Sequence, residues 1–312
     1  MKYVDLHCDT LTECAKLGSD LSSCPLQTSL EKLKKSGCKA QCFAIYTQGY
    51  GAANDFSRYL QYYFDMLEKH KNAVLQIKCG ADFLRAEESG KLGSILTVEN
   101  LGFIGEDLSK LKTLKEAGVK MASLVWNYEN SLGFPNLIFK NDYPQFELRE
   151  NRGLKPLGRE TVEALDELGI LIDISHLSDG GALDILQNRK TPIVASHSNA
   201  AEVYNVSRNL TDGLIKKIAD CGGVIGVNFC KDFLGKGATF ALVLEHIKHI
   251  IKVGGEDVIA LGSDFDGIPA PPDMPDCTYY PAIFDYLLKG GIAAGVLEKL
   301  THANAERVFK NV

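Results

Sequence analysis

The 312-residue chain has no long hydrophobic run, no block of basic residues, no paired CxxC cysteines and no glycine-rich phosphate loop. Each absence excludes something. No segment approaches the length that a membrane-crossing helix needs. Lys and Arg number 34 against 40 Asp and Glu, a formal charge of −6, which disfavours nucleic-acid binding through phosphate contacts. The nine cysteines are odd in number and scattered, a pattern of reduced thiols rather than of a disulfide framework. Cys38 and Cys42 lie in an apolar run and read as core. The opening "MKYVDLHCDT" shows neither a basic n-region nor a cleavage site, so a cytoplasmic location is expected, with no membrane partner.

What is present is enough apolar material for a large core: 45% hydrophobic residues and 24% charged. The length suits a barrel that occupies residues 1–312 as one domain. Short β-rich runs end in a polar residue and are followed by helix-like stretches. The runs are "KYVDLHCDT" (2–10), "KAQCFAIYT" (39–47), "GSILTVEN" (93–100) and "VKMASLVWN" (119–127). They continue with "GILIDISH" (169–176), "TPIVASHS" (191–198), "GGVIGVNF" (222–229) and "DVIALGSD" (257–264). Amphipathic stretches such as "NDFSRYLQYYFDMLEKH", "GRETVEALDELG", "TDGLIKKIADCG" and "FALVLEHIKHIIKVGG" lie between them, the last two with glycine-rich ends that read as C-caps. Eight such units predict an α/β fold, a (β/α)8 TIM-type barrel, because parallel neighbours need helical crossovers. A doubly wound open sheet is the alternative, weakened by the missing glycine-rich loop after the first strand. The long connection from 127 to 158, after the fourth strand, reads as an active-site loop.

In such a barrel the C-terminal strand ends share one rim. Here they carry His7 and Asp9, Glu99, Trp126, His176, His197 and Asp264. His7 and Asp9 are two residues apart, so on a strand both face the same side, with Cys8 opposite. Each residue has an ordinary explanation: Asp9 as a helix cap, Glu99 as a loop carboxylate or N-cap, His176 and His197 as bonded core histidines, Asp264 as a turn former. Convergence on one mouth favours a single metal centre instead, since imidazole and carboxylate are the ligand types of zinc and similar ions. There are too many for one zinc, and two ions with one carboxylate between them fit better. A metal-bridging hydroxide would then be the nucleophile, its pKa drawn towards about 7. His246 and His249 read as surface or packing, His70 as solvent-exposed, and His302 as local to a helix start.

The ordered set "DLHCDT", "TVEN", "WNYENSLG", "LIDISHLSD", "IVASHSNA", "SRNLTD", "GGVIGVNF" and "LGSDFDG" resembles the membrane dipeptidase (renal dipeptidase-like) family of amidohydrolase-like metal barrels over nearly the whole chain. The resemblance implies a dipeptidase with two zinc ions per chain. It implies that His7 and Asp9 hold one zinc, that His176 and His197 hold the other, and that Glu99 bridges them. It implies that Arg208 receives the free C-terminal carboxylate of a dipeptide, a task suited to a guanidinium fork. Asp264 matches the acid that exchanges a proton with water and with the leaving amine; Asp266 lies beyond the strand end. Two positions depart from members typified by the renal enzyme. Trp126, followed by Asn127, stands where a histidine polarises the scissile carbonyl, and Cys230 stands where a tyrosine is expected. Trp126 and Asn127 are accordingly expected to line the substrate site, the indole as an N–H donor, an apolar wall or simple packing.

The leading expectation is a zinc dipeptidase, C-terminal D-residues included. A hydrolase of another small amide, lactam or ester, and a non-catalytic metal-binding protein, are the competing readings. Arg208 separates the first two, because only a substrate with a nearby carboxylate needs it. A small dipeptide is the expected partner, and a homodimer is one assembly left open.

Overall fold

A computed structural model describes residues 1–49, 51–187, 189 and 191–310. Its strands are β1 (Tyr3–Cys8), β2 (Cys38–Tyr46), β3 (Val74–Gln76), β4 (Leu92–Glu99), β5 (Val119–Ser123) and β6 (Ile138–Lys140). There follow β7 (Tyr143–Gln145), β8 (Leu171–Asp173), β9 (Val194–Ala195), β10 (Val224–Val227) and β11 (Ile259–Leu261). Eight of them, β1, β2, β4, β5, β8, β9, β10 and β11, close a parallel barrel, with β1 pairing to both β2 and β11. These are the eight runs expected from the sequence. Three strands were not expected. β3 adds beside the N-terminal half of β4, and β6 and β7 form an antiparallel ribbon inside the long connection.

Several helices begin and end on capping residues visible in the sequence. Pro156–Leu168 starts with proline in its first turn and stops at Gly169, whose φ of 63° suits a residue without a Cβ. Asp212–Asp220 and Phe240–Gly254 are capped by the hydroxyls of Thr211 and Thr239, which accept from Leu214 and Leu242 N–H. Their apolar faces pack on the outside of the barrel in one large cluster. A second cluster fills the interior, from Val4, Leu6 and Ile95 down to Phe83 and Phe309 of the helices Gly80–Glu88 and Asn304–Lys310. Those helices close the barrel at its N-terminal end. There Glu306 gathers Lys39, His302 and Lys310. Burial works against its charge, yet these partners bring its carboxyl down to about 2. At the same end Cys79, the exposed thiol among nine free cysteines, begins the helix whose Asp82 accepts from its N–H. No helix among the described residues is long and apolar enough to cross a membrane.

Candidate metal centre

β1 reaches the site through an irregularity. Val4 and Leu6 belong to the interior cluster, so strict alternation would send Cys8 inward and His7 outward. Between Asp5 and Cys8 the register slips: Asp5 faces Gln41 but Cys8 faces Phe43, three steps on β1 against two on β2. That bulge reverses the phase. Cys8 joins the outer layer, and the His7 and Asp9 side chains meet at the mouth, Nε2 to Oδ2 3.3 Å. Asp9 precedes the helix Thr10–Leu17 but its carboxylate accepts no cap hydrogen bond, so capping does not explain it.

Glu99, the last residue of β4, turns its two oxygens in different directions. Oε2 lies 3.8 Å from His7 Nε2, whereas Oε1 lies 3.0 Å from His176 Nε2 and 3.6 Å from His197 Nε2. His176 and Asp264 sit just beyond the last paired residues of β8 and β11, both in the left-handed region at φ 69° and 65°. Asp264 Oδ1 is 3.7 Å from His7 Nε2, and its Oδ2 accepts from Asn228 Nδ2 at 2.9 Å. Among the described residues, His7 with Asp9 and Glu99, Glu99 with His176 and His197, and His7 with His197 and Asp264 each bring three ligand atoms within 4.8 Å of one another. The other histidines lie elsewhere. His246 is buried packing and His249 bonds Asp212 at 2.7 Å. His302 pairs with Glu306, and His70 is half-buried against Asp20 at 2.9 Å rather than free in solvent. Asp266 is occupied by Thr10, Gln27 and Thr28, which leaves Asp264 to face the cluster.

The donor chemistry fits cations. His176 Nδ1 lies 2.7 Å from the Asn127 amide oxygen, which only accepts, so the ring proton is on Nδ1. His197 Nδ1 is tied at 2.7 Å to Ser196 Oγ, whose own proton goes to the Asp173 carboxylate. Both rings therefore present unprotonated Nε2 atoms, 2.9 Å apart. Nε2 of His7 has no hydrogen-bond partner among the described residues. Burial pushes His176 and His197 well below the usual histidine range, with Arg208 and His7 adding to it, which favours the neutral, ligating form. Burial also opposes charge on His7, but Glu99, Asp9 and Asp264 outweigh it and lift the imidazole to about 10. Burial raises Glu99 well above the carboxylate range and Asp264 to about 6, Asp9 adding to both against the pull of His7. Two neighbouring acids, Glu99 and Asp264, that resist ionising mark a place for positive charge.

Arg208 completes the group. It is 1% exposed and stands over the Phe233 ring, with Nη2 3.1 Å from His176 Nε2. Among the described residues its Nε and Nη1 donate to nothing. A cavity of about 310 Å³ opens above, walled by Tyr46, Trp126, Asn127, Cys230, Phe233 and Ile268. Trp126 packs edge-on against Tyr46 at 5.0 Å and lies 6.0 Å from the His176 ring. Sequence reasoning missed Tyr46, Asn228, Asp173 and Ser196. The strand-end rule used for the histidines would have found Asn228, which sits one residue beyond β10.

The sequence profile described as membrane dipeptidase (peptidase family M19) matches residues 1–312. A protein from the 5′ region of pqqA in Klebsiella pneumoniae is 33% identical over 238 residues, 74% of this chain and 86% of that one. An uncharacterized dipeptidase of Schizosaccharomyces pombe is 32% identical over 249 residues, 78% of this chain but only 58% of the yeast protein. Among solved structures, the dipeptidase AC, a metallopeptidase of family M19, superposes with a TM-score of 0.92 at 25% identity, covering 100% of this chain and 98% of that one. A Rhodobacter sphaeroides metallopeptidase, solved with a phosphinate mimic of the dipeptide L-Ala-D-Ala, shares the fold with a TM-score of 0.91 at 24% identity, covering 100% and 99%. The chain therefore belongs to the membrane dipeptidase family, peptidase family M19, and is a metal-dependent dipeptidase by family.

Proposed function

We propose that residues 1–312 form one hydrolase domain that cleaves free dipeptides with two zinc ions, one held by His7, Asp9 and Glu99, the other by Glu99, His176 and His197. When bound, such an ion pair polarises the scissile carbonyl and makes water a nucleophile near neutral pH. The observation that carries the substrate reading is Arg208: a buried guanidinium with two donor nitrogens, Nε and Nη1, unused beside the cluster. A buried fork without acceptors is costly unless a ligand supplies them, and a terminal carboxylate does so with matched geometry. That pairing does not depend on the handedness of the adjacent Cα, so C-terminal D-residues are included. Asp264, steadied by Asn228, takes the proton from the attacking water and returns it to the leaving amine. Trp126 and Asn127 wall the cavity. With its amide oxygen accepting from His176, Asn127 keeps both amide N–H groups to offer a substrate.

The test compares a dipeptide with its C-terminal amide. Removing the charge-assisted pair costs roughly 1.5–3 kcal/mol, about a ten- to hundredfold drop in kcat/KM. Arg208→Ala is expected to show that drop on the acid and little further loss on the amide. Equal turnover of acid and amide by the parent would favour a general hydrolase of small amides, lactams or esters.

A further inference from the structure

We propose that Asp173 and Ser196 are positioning residues for His197. Together they hold its imidazole in the Nδ1–H tautomer and aim the Nε2 lone pair at Glu99, where a metal ion is held. This rests on the metal reading above.

Asp173 is the last residue of β8 and 4% exposed, and Ser196 follows β9 with no exposure at all. Oδ1 of Asp173 accepts two backbone N–H groups, from Ser175 and Ser196, each at 2.9 Å. Oδ2 accepts the Ser196 hydroxyl at 2.5 Å. The carboxylate thus has three donors and no proton of its own to give. A hydroxyl carries one proton; once that is committed to Asp173, its oxygen can only accept. The group facing it is His197 Nδ1 at 2.7 Å, so the imidazole must be the donor there. The ring's other nitrogen is left bare, 3.6 Å from Glu99 Oε1. Proton direction thus passes unbroken from a carboxylate, through a hydroxyl, to a ring.

The hydroxyl has little room to drift. A Cβ added at Gly226 or Gly262 would run into the Ser196 carbonyl oxygen, so β10 and the chain beyond β11 approach that backbone as closely as glycine permits. His197 N–H also donates to Ser175 Oγ at 3.2 Å, tying the same two strand ends together. A second Asp–Ser bond in the protein provides a contrast. Asp5 accepts from Ser263 Oγ at 2.6 Å, from Ser263 N–H at 3.0 Å and from the Tyr280 hydroxyl at 2.7 Å. Ser263 Oγ then accepts from the Phe265 backbone N–H at 3.2 Å, not from a ring. The two bonds are alike in burial and connectivity, but only one ends on an imidazole whose tautomer it can set.

Replacing Asp173 by asparagine makes the prediction sharp. The amide oxygen can still take the two backbone N–H groups, but the amide nitrogen now donates to Ser196 Oγ. The hydroxyl proton then turns to His197 Nδ1 at 2.7 Å, a nearer acceptor than Ser175 Oγ at 3.3 Å, which moves the ring proton to Nε2 and removes the ligating lone pair. Protein labelled with 15N-histidine should show His197 protonated at Nδ1 in the parent and in Ser263→Ala, and at Nε2 in Asp173→Asn. Zinc affinity, measured by chelator competition, should fall about ten- to hundredfold in Asp173→Asn and in Ser196→Ala. Ser196→Thr, which keeps the hydroxyl, should restore it. Parent-like ring-nitrogen shifts and zinc affinity in both Asp173→Asn and Ser196→Ala would overturn the positioning role, leaving the bond merely structural. A parent protein that bound no zinc would overturn the metal reading itself, and the inference with it.

Discussion

At the scale of single residues, Glu99 carries the most geometry, with one oxygen towards His7 and the other towards His176 and His197. On the two-zinc reading proposed above, Glu99→Ala should reduce bound metal at both positions, read as metal equivalents by elemental analysis of loaded protein; a full complement would remove its shared role. Gly267 lies against the same carboxylates, and a Cβ there would collide with Asp9 Oδ2 and Asp264 Oδ1. Those are side-chain atoms that can move, so Gly267→Ala should displace the site rather than the fold. We expect kcat to fall at least about tenfold, as for a misplaced catalytic group, with the melting temperature within a few degrees of the parent. Trp126 packs against Tyr46, Tyr128 and His176 as a half-buried wall. Trp126→Phe keeps most of that wall, and kcat should change by less than about tenfold. A hundredfold loss with metal content unchanged would make its N–H an oxyanion donor.

At the scale of elements, the helix Phe240–Gly254 supplies a pH-dependent strut. His246, fully buried on it, accepts from Ala200 N–H at 3.1 Å and donates to Leu234 O at 3.1 Å. Burial lowers its pKa to about 4, against the pull of the Leu234 carbonyl. Above the ordinary histidine value near 6.5 both folded and unfolded chains hold it neutral, and its contribution is complete. As the pH falls from there towards 4 the unfolded chain takes the proton first, and about 3 kcal/mol of stability drains away. His246→Gln, which keeps one acceptor and one donor, should flatten denaturation midpoints across that window. The eight barrel strands were legible because runs of eight or nine residues recur between helix-like stretches, a pattern long enough to read even where, as in β8, β9 and β11, only two or three residues pair. β3, β6 and β7 were not, since they fall outside that repeat of run and helix. Nor was the β1 bulge. Spacing placed His7 and Asp9 on one side, but only the slipped register decides that this side is the mouth. The left-handed turns at His176 and Asp264 and the roles of Asp173 and Ser196 were hidden for a related reason. They depend on partners in neighbouring strands, which no local pattern reports.

At the scale of the whole molecule, chemistry and structural closure occupy opposite ends. The strand C-termini carry every candidate ligand, while Phe83, Phe309 and the Glu306 cluster seal the other end. Changes at the mouth should therefore spare the fold more than changes at the base. Phe309→Ala, for example, should cost about 3–5 kcal/mol in chemical denaturation, as large cavities do, without altering metal stoichiometry. Cys79 belongs to that base and is exposed, whereas the other eight thiols are buried. A maleimide applied to the native protein should thus add about one equivalent, and Cys79→Ser should add almost none. The position turns a lone thiol into an address. Coupled to a bead or an electrode through Cys79, every molecule would stand with its open end outward and keep turning over substrate. Amine-directed coupling, which can seize Lys16 beside the cavity, would leave a share of the molecules blocked.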